Sequence, residues 1–379
     1  MGVREGALAG VGWVASMTPQ FWFGKRVLIT GHTGFKGTWL ILWLRSMGAH
    51  VTGYALQPPT EPNLFTLTSA AEDIDHIVGD VRDGPFLEQV FKDSMPEIVF
   101  HLAAQPLVRT SYLLPAETYS TNVMGTVNVL EAVRKTSTVQ ATIVITSDKC
   151  YENRETIWPY RETDAMGGHD PYSSSKGCAE LVTAAYGKSF FAPEMGRSSI
   201  ASVRAGNVIG GGDWAKDRLM ADLMRGLLTN ENIVIRRPRA VRPWQHVLEP
   251  LSGYLTIAEH IWCEGPFAWG GWNFGPEPSD GNRTVDDLAR KTCELWGRPE
   301  AMKIEEDPNA VHEAGLLALD STKARVALNW RPRWNFDTSV ERTVEWYLAY
   351  AKGGDMRSVS LSQLAAFQDD AVVAAKECG

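Results

Sequence analysis

Three consecutive residues near the middle of the chain could together carry out acid–base chemistry. Ser147, Asp148 and Lys149 supply a hydroxyl, an acid and an amine directly after the apolar run 143–145, which is typical of a strand covered on both faces. Open α/β sheets bind their ligands at the carboxyl ends of such strands. A tripeptide of this composition at the end of a strand is more often a polar turn, so these residues alone favour that interpretation over a catalytic site.

A second segment places a phenol and an amine one helical turn apart. Asp170 is a good N-cap and Pro171 suits the first helical position, so a helix should begin there. Tyr172 and Lys176 then share one face of that helix. A nearby ammonium lowers a phenol pKa from about 10 toward neutrality, which lets tyrosinate act as a base. Because this spacing occurs in many helices, the surrounding elements must decide its meaning.

The first element that could position these groups is a glycine-rich turn. The apolar strand Arg26–Thr30 runs into glycines at 31, 34 and 37 and then into the helix-like segment 38–44. Such a turn lets the backbone approach a diphosphate, whose charge meets the helix N-terminus. The pattern predicts dinucleotide binding, and its glycine spacing resembles that of the short-chain dehydrogenases/reductases.

Further strands alternate with helical stretches, as in a doubly wound parallel sheet. The predicted strands are His50–Leu56, His76–Gly79, Ile98–Ala103, Thr142–Thr146 and Ser199–Ala205. We therefore predict an α/β fold, a Rossmann-type domain with a smaller C-terminal α/β substrate-binding domain.

The residues after the second and third strands indicate which cofactor is bound. Gln57 stands where an acidic residue usually holds the adenosine ribose, and no arginine that could clamp a 2′-phosphate follows it immediately. Asp80 can accept from the adenine amino group, whereas Asp83 is better explained as a helix N-cap. These residues favour NAD over NADP. The predicted cofactor contacts are Gly31, Thr33, Gly34, Phe35, Lys36, Gly37, Gln57, Asp80, Val81, Leu102, Ala103, Ala104, Asn122, Tyr172 and Lys176.

The segment 118–134 should form an amphipathic helix. Its predicted apolar face contains Tyr119, Val123, Val127, Leu130 and Val133, and Asn122 departs from that face. The Asn122 amide is either a buried group paired with backbone or a group that steadies the site.

Composition excludes several classes of function. With 37 Lys+Arg against 45 Asp+Glu the net charge is −8, so neither nucleic acid nor an anionic membrane is an expected partner. The five cysteines form no Cys-x-x-Cys pair, which favours a reduced, cytoplasmic protein without disulfides or zinc. The histidines show no metal-binding spacing. We expect no membrane span, no targeting segment and a loose N-terminal extension, with Met17 as a plausible start.

Six motifs resemble the nucleotide-sugar 4,6-dehydratases, which are extended short-chain dehydrogenases/reductases, and among them the enzymes that act on CDP-glucose. They lie at 31–37, 101–109, 146–151, 170–180, 203–218 and 242–247, and the likeness runs from about Gly24 to Tyr350. The pair Asp148-Lys149 discriminates best, because the dTDP-glucose and GDP-mannose dehydratases carry Asp-Glu or a Thr-Glu type of pair there. Sugar epimerases of this fold generally lack such an acid and base.

The resemblance implies a redox-neutral dehydration with NAD as cofactor. Tyr172, with Ser147 and Lys176, would remove the C4 hydroxyl proton; Lys149 would take the C5 proton and Asp148 would protonate the C6 hydroxyl. Lys149 must then be neutral and Asp148 protonated, although a close carboxylate and ammonium favour the ionised pair.

The last third of the chain should bind the nucleotide sugar, CDP-glucose. The predicted contacts are Gln105, Asn207, Arg218, Arg236, Arg242, His246 and His312. The arginines at 236–242 are either a solvated face or planar donors for a diphosphate, and we favour Arg242. His246 should begin a helix that runs through Ile261, and is equally well explained as structural. For His312, a loop next to a helix cap is the alternative to nucleotide contact.

The predicted organisation has four parts: an extension at 1–23, the NAD-binding domain at 24–206 with 234–261 returning to it, the substrate domain at 207–233 and 262–350, and a helical tail at 351–379. The resemblance implies a homodimer or homotetramer and a role in deoxysugar and O-antigen biosynthesis. Two alternatives remain: another nucleotide-sugar dehydratase or 4-epimerase, and a catalytically silent protein that kept the fold.

Overall fold

The computed structural model describes residues 18–191, 198–235, 237–265, 270–280, 283–305 and 315–377. Its strands are β1 (Arg26–Thr30), β2 (His50–Ala55), β3 (Asp75–Val78), β4 (Ile98–His101), β5 (Ala141–Ile145), β6 (Ser199–Ala205), β7 (Val208–Ile209), β8 (Ile233–Ile235), β9 (Gln245–His246), β10 (Gly270–Phe274) and β11 (Met302–Ile304). Its α-helices are α1 (Pro19–Trp22), α2 (Phe35–Ser46), α3 (Leu64–Leu67), α4 (Gly84–Ser94), α5 (Val108–Leu113), α6 (Pro115–Tyr119), α7 (Gly125–Lys135), α8 (Pro171–Phe190), α9 (Leu219–Leu228), α10 (Leu248–Glu264), α11 (Val285–Trp296), α12 (Thr322–Ala327), α13 (Phe336–Ala351) and α14 (Met356–Glu377).

Strands between residues 26 and 274 form one parallel sheet in the order β10-β6-β5-β4-β1-β2-β3. The chain winds outward in one direction from β1 to β3 and in the other from β4 to β6. This reversal creates a crevice at the carboxyl ends of β1 and β4, where open α/β sheets bind their ligands. The predicted Rossmann-type doubly wound sheet is therefore confirmed.

The predicted strands agree with the observed ones, except that several end earlier. The strand predicted to reach Ala103 ends at His101, although the backbone amide of Leu102 still donates to Thr30 at 3.0 Å. Similarly, Thr146 donates to Val203 at 2.9 Å just beyond β5. The chain leaves the ladder at these points because the following residues turn into the crevice.

Two strands lie outside the places that the predicted domain division gave them. Gly270–Phe274, assigned to the substrate domain, pairs with β6 and extends the main sheet. Ile233–Ile235 pairs with Met302–Ile304 in a separate two-stranded sheet, so most of this strand does not return to the NAD-binding domain as predicted. The rest of the proposed division stays a prediction.

The prediction of a loose extension through residue 23 is wrong for its last part. Pro19–Trp22 forms a short helix whose Trp22 ring is fully buried and packs 6.2 Å from Phe100. Thr18 donates its amide to Glu259 at 3.0 Å. A single large aromatic side chain is enough to bind this segment to the core.

The predicted tail helix is confirmed as α14, which begins at Met356. It packs on α2 and α13: Phe367 contacts Trp43 edge-to-face at 5.6 Å, and Ser360 accepts from the Trp346 indole at 2.9 Å. The helix thus completes the core on one face of the sheet, while α4 and α7 cover the other. Among the described residues, no helix is long and apolar enough to cross a membrane.

Candidate active site

The turn between β1 and α2 is packed too tightly to accept side chains at two of its three glycines, Gly31 and Gly37. Gly31 has a φ of +74°, and a Cβ added to it would lie 2.6 Å from the Ala103 nitrogen. A Cβ on Gly37 would lie 2.4 Å from the Gly31 carbonyl oxygen. Gly34 is the N-cap of α2, so the first amides of that helix face the crevice. This cradle fits a dinucleotide diphosphate, which approaches backbone amides at a helix N-terminus.

The residues predicted to bind the adenosine half lie at the ends of β2 and β3. Gln57 is exposed and Thr33 donates to the Leu56 carbonyl at 2.9 Å, so both lie beside the turn. The Asp80 carboxylate accepts from the side chain and backbone of Arg82, each at 2.9 Å, and the side-chain bond is the main reason why its pKa is lowered. Val81 is buried in the core with only 4 % of its surface exposed.

The loop after β4 is built around Asn122. Its amide oxygen accepts from the Gln105 backbone at 2.8 Å, and its nitrogen donates to the Gln105 carbonyl at 3.1 Å and to the Ser175 hydroxyl at 2.8 Å. The Gln105 side chain is itself paired with Thr118 at 2.9 Å and with the backbone of Leu107 at 2.6 Å. The side-chain amides of Asn122 and Gln105, both predicted to bind ligands, are therefore hydrogen-bonded within the protein. They hold the loop after Leu102, Ala103 and Ala104, three residues that are half-buried.

The predicted apolar face of the helix at 118–134 is wrong at its start. Tyr119 is 37 % exposed, whereas Asn122 is only 2 % exposed and lies on the buried face. The reason is a π-helical segment at Ser120–Met124, which joins α6 to α7 and rotates the face that precedes it.

The Ser-Asp-Lys segment is a polar turn, and its Lys149 lines a cleft together with Asp170 and Arg242. Ser147 caps the 3-10 turn Asp148–Cys150, and its hydroxyl donates to Asp148 Oδ1 at 3.0 Å. Asp148 is only 3 % exposed, and its Oδ2 has no hydrogen-bond partner among the described residues. Burial raises the pKa of Asp148, while the charge of Lys149 and the Ser147 hydrogen bond oppose that rise. A raised pKa of Asp148 agrees with the prediction that this acid must be protonated.

Helix α8 begins as predicted, with Asp170 accepting from the Ser173 amide at 2.9 Å and Pro171 in the first turn. Tyr172 and Lys176 are both buried on its inner face. Burial raises the pKa of Tyr172 to about 12, and a hydrogen bond with Ser147 and the charge of Arg218 oppose the rise. Ser147 thus contacts both the acid and the phenol.

Lys176 lies on the predicted helix face, and its ammonium is bound by the strand backbone. Its ammonium donates to the Ile145 carbonyl at 3.3 Å, and burial lowers its pKa to about 8. Among the described charges, the cation that acts on the Tyr172 phenol is Arg218. Arg218 therefore adds a cation to the one that the sequence predicted beside the Tyr172 phenol.

The predicted substrate residues divide into those at the cleft and those elsewhere. Arg242 lines the cleft with Lys149, and its guanidinium donates to the carbonyl of Val241 at 2.8 Å. Arg218 pairs with Asp213 at 2.9 Å and precedes α9. Asn207 follows β6 and is half-buried. Arg236 and His312 lie outside the described residues.

The predicted helix start at His246 is wrong, whereas the structural alternative for its side chain agrees with its burial. It lies in β9 rather than at the start of a helix, and α10 begins at Leu248. The ring has no exposed surface and packs between Trp334, 4.9 Å away, and Trp39, 6.1 Å away. Enclosed in this way, it cannot reach a ligand in the cleft.

Sequence reasoning missed a buried polar group behind the turn, which contains Tyr151, Glu180 and Arg204. One signal was available: Glu180 follows Lys176 by four residues, so both lie on the same face of α8. The described residues contain no group of three or more His, Cys, Asp or Glu side chains that could hold a metal ion.

Comparisons with known proteins agree with this architecture. Residues 27–265 match the profile of the family described as "NAD dependent epimerase/dehydratase family". The CDP-glucose 4,6-dehydratase of Salmonella typhimurium is 53 % identical over 340 residues, which cover 89 % of this chain and 94 % of that protein.

Solved structures share the fold at lower identity. The epimerase Mth375 of Methanothermobacter thermautotrophicus has a TM-score of 0.75 and 23 % identity, covering 90 % of this chain and 96 % of that one. The dTDP-glucose 4,6-dehydratase of Bacillus anthracis in complex with NAD has a TM-score of 0.72 and 20 % identity, covering 87 % and 99 %. With its glycine cradle, its Tyr-x-x-x-Lys helix and these matches, the chain belongs to the NAD dependent epimerase/dehydratase family.

Proposed function

We propose that this protein is an NAD-dependent CDP-glucose 4,6-dehydratase, which converts CDP-glucose to CDP-4-keto-6-deoxyglucose and water. The observation that carries the proposal is the placement of an acid, Asp148, and an amine, Lys149, on one turn beside the buried Tyr172. The 53 % identity with a CDP-glucose 4,6-dehydratase supports the same reaction and the same nucleotide.

NAD would be held by the glycine turn at 31–37, with Asp80 and Gln57 on the adenosine side. When bound, NAD accepts hydride from C4 of the sugar and returns it to C6, so that the overall reaction is redox-neutral. The 2.4 Å and 2.6 Å approaches that exclude side chains at Gly37 and Gly31 are the structural support for this placement.

Tyr172 is the proposed base for the C4 hydroxyl. Its phenol pKa of about 12 in the unliganded protein means that the phenolate needs further stabilisation at neutral pH. The Ser147 hydroxyl and the Arg218 guanidinium already act in that direction. Lys176 adds a second cation on the same helix face.

Elimination requires one group that removes the C5 proton and another that protonates the departing C6 hydroxyl. Asp148 is suited to the second task, because burial favours its neutral form and Ser147 engages only Oδ1. Its unpaired Oδ2 is thus the oxygen from which we expect proton transfer. Lys149, which lines the cleft, is the proposed base. The proton that it removes exchanges with solvent, and the Lys149 ammonium delivers a proton to C5 when hydride reduces C6.

The remaining binding groups are proposed from charge and position. Arg242 and Arg218 are guanidinium groups near the acid and the phenol, and planar bidentate donors suit diphosphate oxygens. Asn207 follows β6 and faces the same end of the sheet. Gln105 and Asn122 act through the loop that they hold.

We infer that two or more copies associate through the helices near Asn122, as a homodimer or homotetramer in the cytoplasm. Large apolar side chains are exposed on this side of the molecule, namely Tyr112, Leu113, Leu114, Tyr119 and Met124. Contiguous apolar patches of this kind mark interaction sites. Light scattering should report an oligomer, and Leu113→Asp should convert it to a monomer; a monomeric wild-type protein would remove this inference.

Incubation with CDP-glucose, with and without added NAD, tests the reaction, the nucleotide and cofactor retention together. Mass analysis should show loss of one water, with CDP-glucose turned over faster than dTDP-, GDP- or UDP-sugars. Preferred turnover of another sugar nucleotide, or interconversion of C4 epimers without water loss, would instead identify another dehydratase or a 4-epimerase. NAD binding without any turnover would favour a catalytically silent protein.

A further inference from the structure

The turn that carries Ser147, Asp148 and Lys149 is held at both ends by one buried cluster. Before the turn, the Thr146 hydroxyl donates to Glu180 Oε1. After the turn, the Tyr151 hydroxyl accepts from Arg204 at 2.7 Å. The Arg204 guanidinium and the Glu180 carboxylate form an ion pair at 2.6 Å. This ion pair connects the hydrogen bond before the turn with the hydrogen bond after it.

The cluster joins elements that are distant in the sequence. Glu180 lies on α8, Arg204 on β6 and Asn273 on β10, where its amide oxygen accepts from Tyr151 at 2.7 Å. Because Glu180 lies one helical turn beyond Lys176, the helix with Tyr172 and Lys176 is mechanically connected to the turn with the acid and amine.

All of these groups are enclosed by protein. Glu180 and Arg204 are each only 4 % exposed, Tyr151 is 1 % exposed and Asn273 has no exposed surface. In such an environment, a hydrogen bond loses little to solvent competition, and an ion pair that loses one partner leaves a costly unpaired charge. The cluster is therefore rigid, with one well-defined arrangement.

We propose that Glu180, Arg204 and Tyr151 are positioning residues that set Asp148 and Lys149 for the elimination step. This proposal rests on the dehydratase function proposed above. Their polar groups are bonded to one another behind the turn and so are not offered to substrate, although the Tyr151 ring also lines the cleft with Lys149. They act by fixing where the acid and the base point, a placement that general acid–base catalysis requires to within a fraction of an ångström.

Tyr151→Phe is the sharpest test, because it removes one hydroxyl and keeps the ring, which stacks on Tyr160 at 5.2 Å. We expect elimination from CDP-glucose to slow by about tenfold or more, an order of magnitude typical of a small misplacement of catalytic groups. Oxidation at C4, measured separately, should slow by clearly less than elimination, because Tyr172 is placed by its own helix and depends on the turn only through Ser147.

The two steps can be separated with CDP-xylose, which has a C4 hydroxyl but no C6 to eliminate. Absorbance of reduced cofactor with CDP-xylose reports oxidation alone, and water loss from CDP-glucose in D₂O, with deuterium at C5 of the product, reports elimination. A merely structural role would lower both rates together and in step with the melting temperature.

Tyr160→Phe is the matched control, since it removes a hydroxyl from the neighbouring ring, which pairs with Arg154 at 2.7 Å and Asn153 at 3.0 Å rather than with the cluster. It should leave the ratio of elimination to oxidation unchanged. Thr146→Val removes the other connection to the cluster. Because both hydroxyls act through Glu180 and Arg204, the double variant Thr146→Val/Tyr151→Phe should lose less than the product of the single losses.

Equal slowing of both steps in Tyr151→Phe, or a wild-type elimination rate, would overturn the positioning proposal while leaving the dehydratase function intact. Failure of the wild-type enzyme to release water from any nucleotide sugar would overturn the proposed function, and with it this proposal. The wild-type assay therefore distinguishes the two.

Discussion

Gly37→Ala should damage the fold of the nucleotide turn before any ligand binds. The added Cβ would lie 2.4 Å from the Gly31 carbonyl oxygen and 2.7 Å from the His32 Cα. Both neighbours are backbone atoms of the same turn, so neither can rotate away as a side chain could. The turn must open instead.

The expected loss of stability follows from this geometry. Forcing a methyl group against backbone costs up to about 3 kcal/mol. Alanine is favoured over glycine within a helix by about 1 kcal/mol, which leaves a net loss of about 2 kcal/mol. For a protein of this size, whose unfolding entropy is about 0.8 kcal/mol per kelvin, such a loss lowers the melting temperature by about 2–3 °C.

Gly34→Ala is the matched control within the same turn. Gly34 has a φ of −79°, which alanine adopts freely, and its Cβ would lie an ordinary 3.4 Å from the Gly31 oxygen. We expect unchanged stability without cofactor. The methyl group would nevertheless occupy the face where the backbone must approach the diphosphate, so NAD affinity should fall by about tenfold to a hundredfold.

Melting curves with and without NAD, after removal of any bound nucleotide, separate the two effects, and calorimetry measures the affinity. Gly37→Ala should melt early even without NAD, whereas Gly34→Ala should melt normally and lose the stabilisation by NAD. A Gly37→Ala protein that melts at the wild-type temperature would refute the reasoning, as would a Gly34→Ala protein with wild-type affinity.

Three further predictions concern the catalytic groups and a buried carboxylate. Tyr172→Phe should retain NAD binding but lose oxidation of C4 by about 10²–10⁴-fold, measured as reduced-cofactor absorbance in single turnover; a smaller loss would argue against Tyr172 as the base. Lys149→Ala should keep NAD binding and oxidation but stop water loss, so unchanged turnover would exclude Lys149 from the mechanism. Burial raises the pKa of Glu249 to about 7 from its usual 4.5, so its contribution to stability is fully present below pH 4.5 and is lost as pH rises through about 7. The free energy of unfolding, measured by chemical denaturation at a series of pH values, should fall more steeply between pH 4.5 and 7 in the wild type than in Glu249→Gln. The same pH dependence in both proteins would contradict the raised pKa.

The nucleotide fold could be predicted from the sequence because its signals are local. The glycine turn, the strand Ser199–Ala205 and the helix start at Asp170-Pro171 each depend on residues within one or two turns of each other, and all three are as predicted. Parallel strands covered on both faces also leave an apolar signature that does not depend on their partners.

Other features depended on contacts that no local pattern encodes. The π-helical segment at Ser120–Met124 turned Asn122 inward, and the edge strand Gly270–Phe274 joined the sheet despite its two glycines. His246 was predicted from its position in a motif, yet Trp39 and Trp334 enclose it in the core.

For the turn at 147–149, the residue types alone indicated an acid, a hydroxyl and an amine at the end of a strand, and the motif resemblance indicated their order of use. Only the tertiary structure enclosed Asp148, which raises its pKa, and brought Arg218 to the Tyr172 phenol. Only the tertiary structure placed Glu180, Arg204 and Tyr151 behind the turn. The physical reason is that desolvation and charge pairing depend on distances between segments far apart in the chain, which the order of residues does not specify.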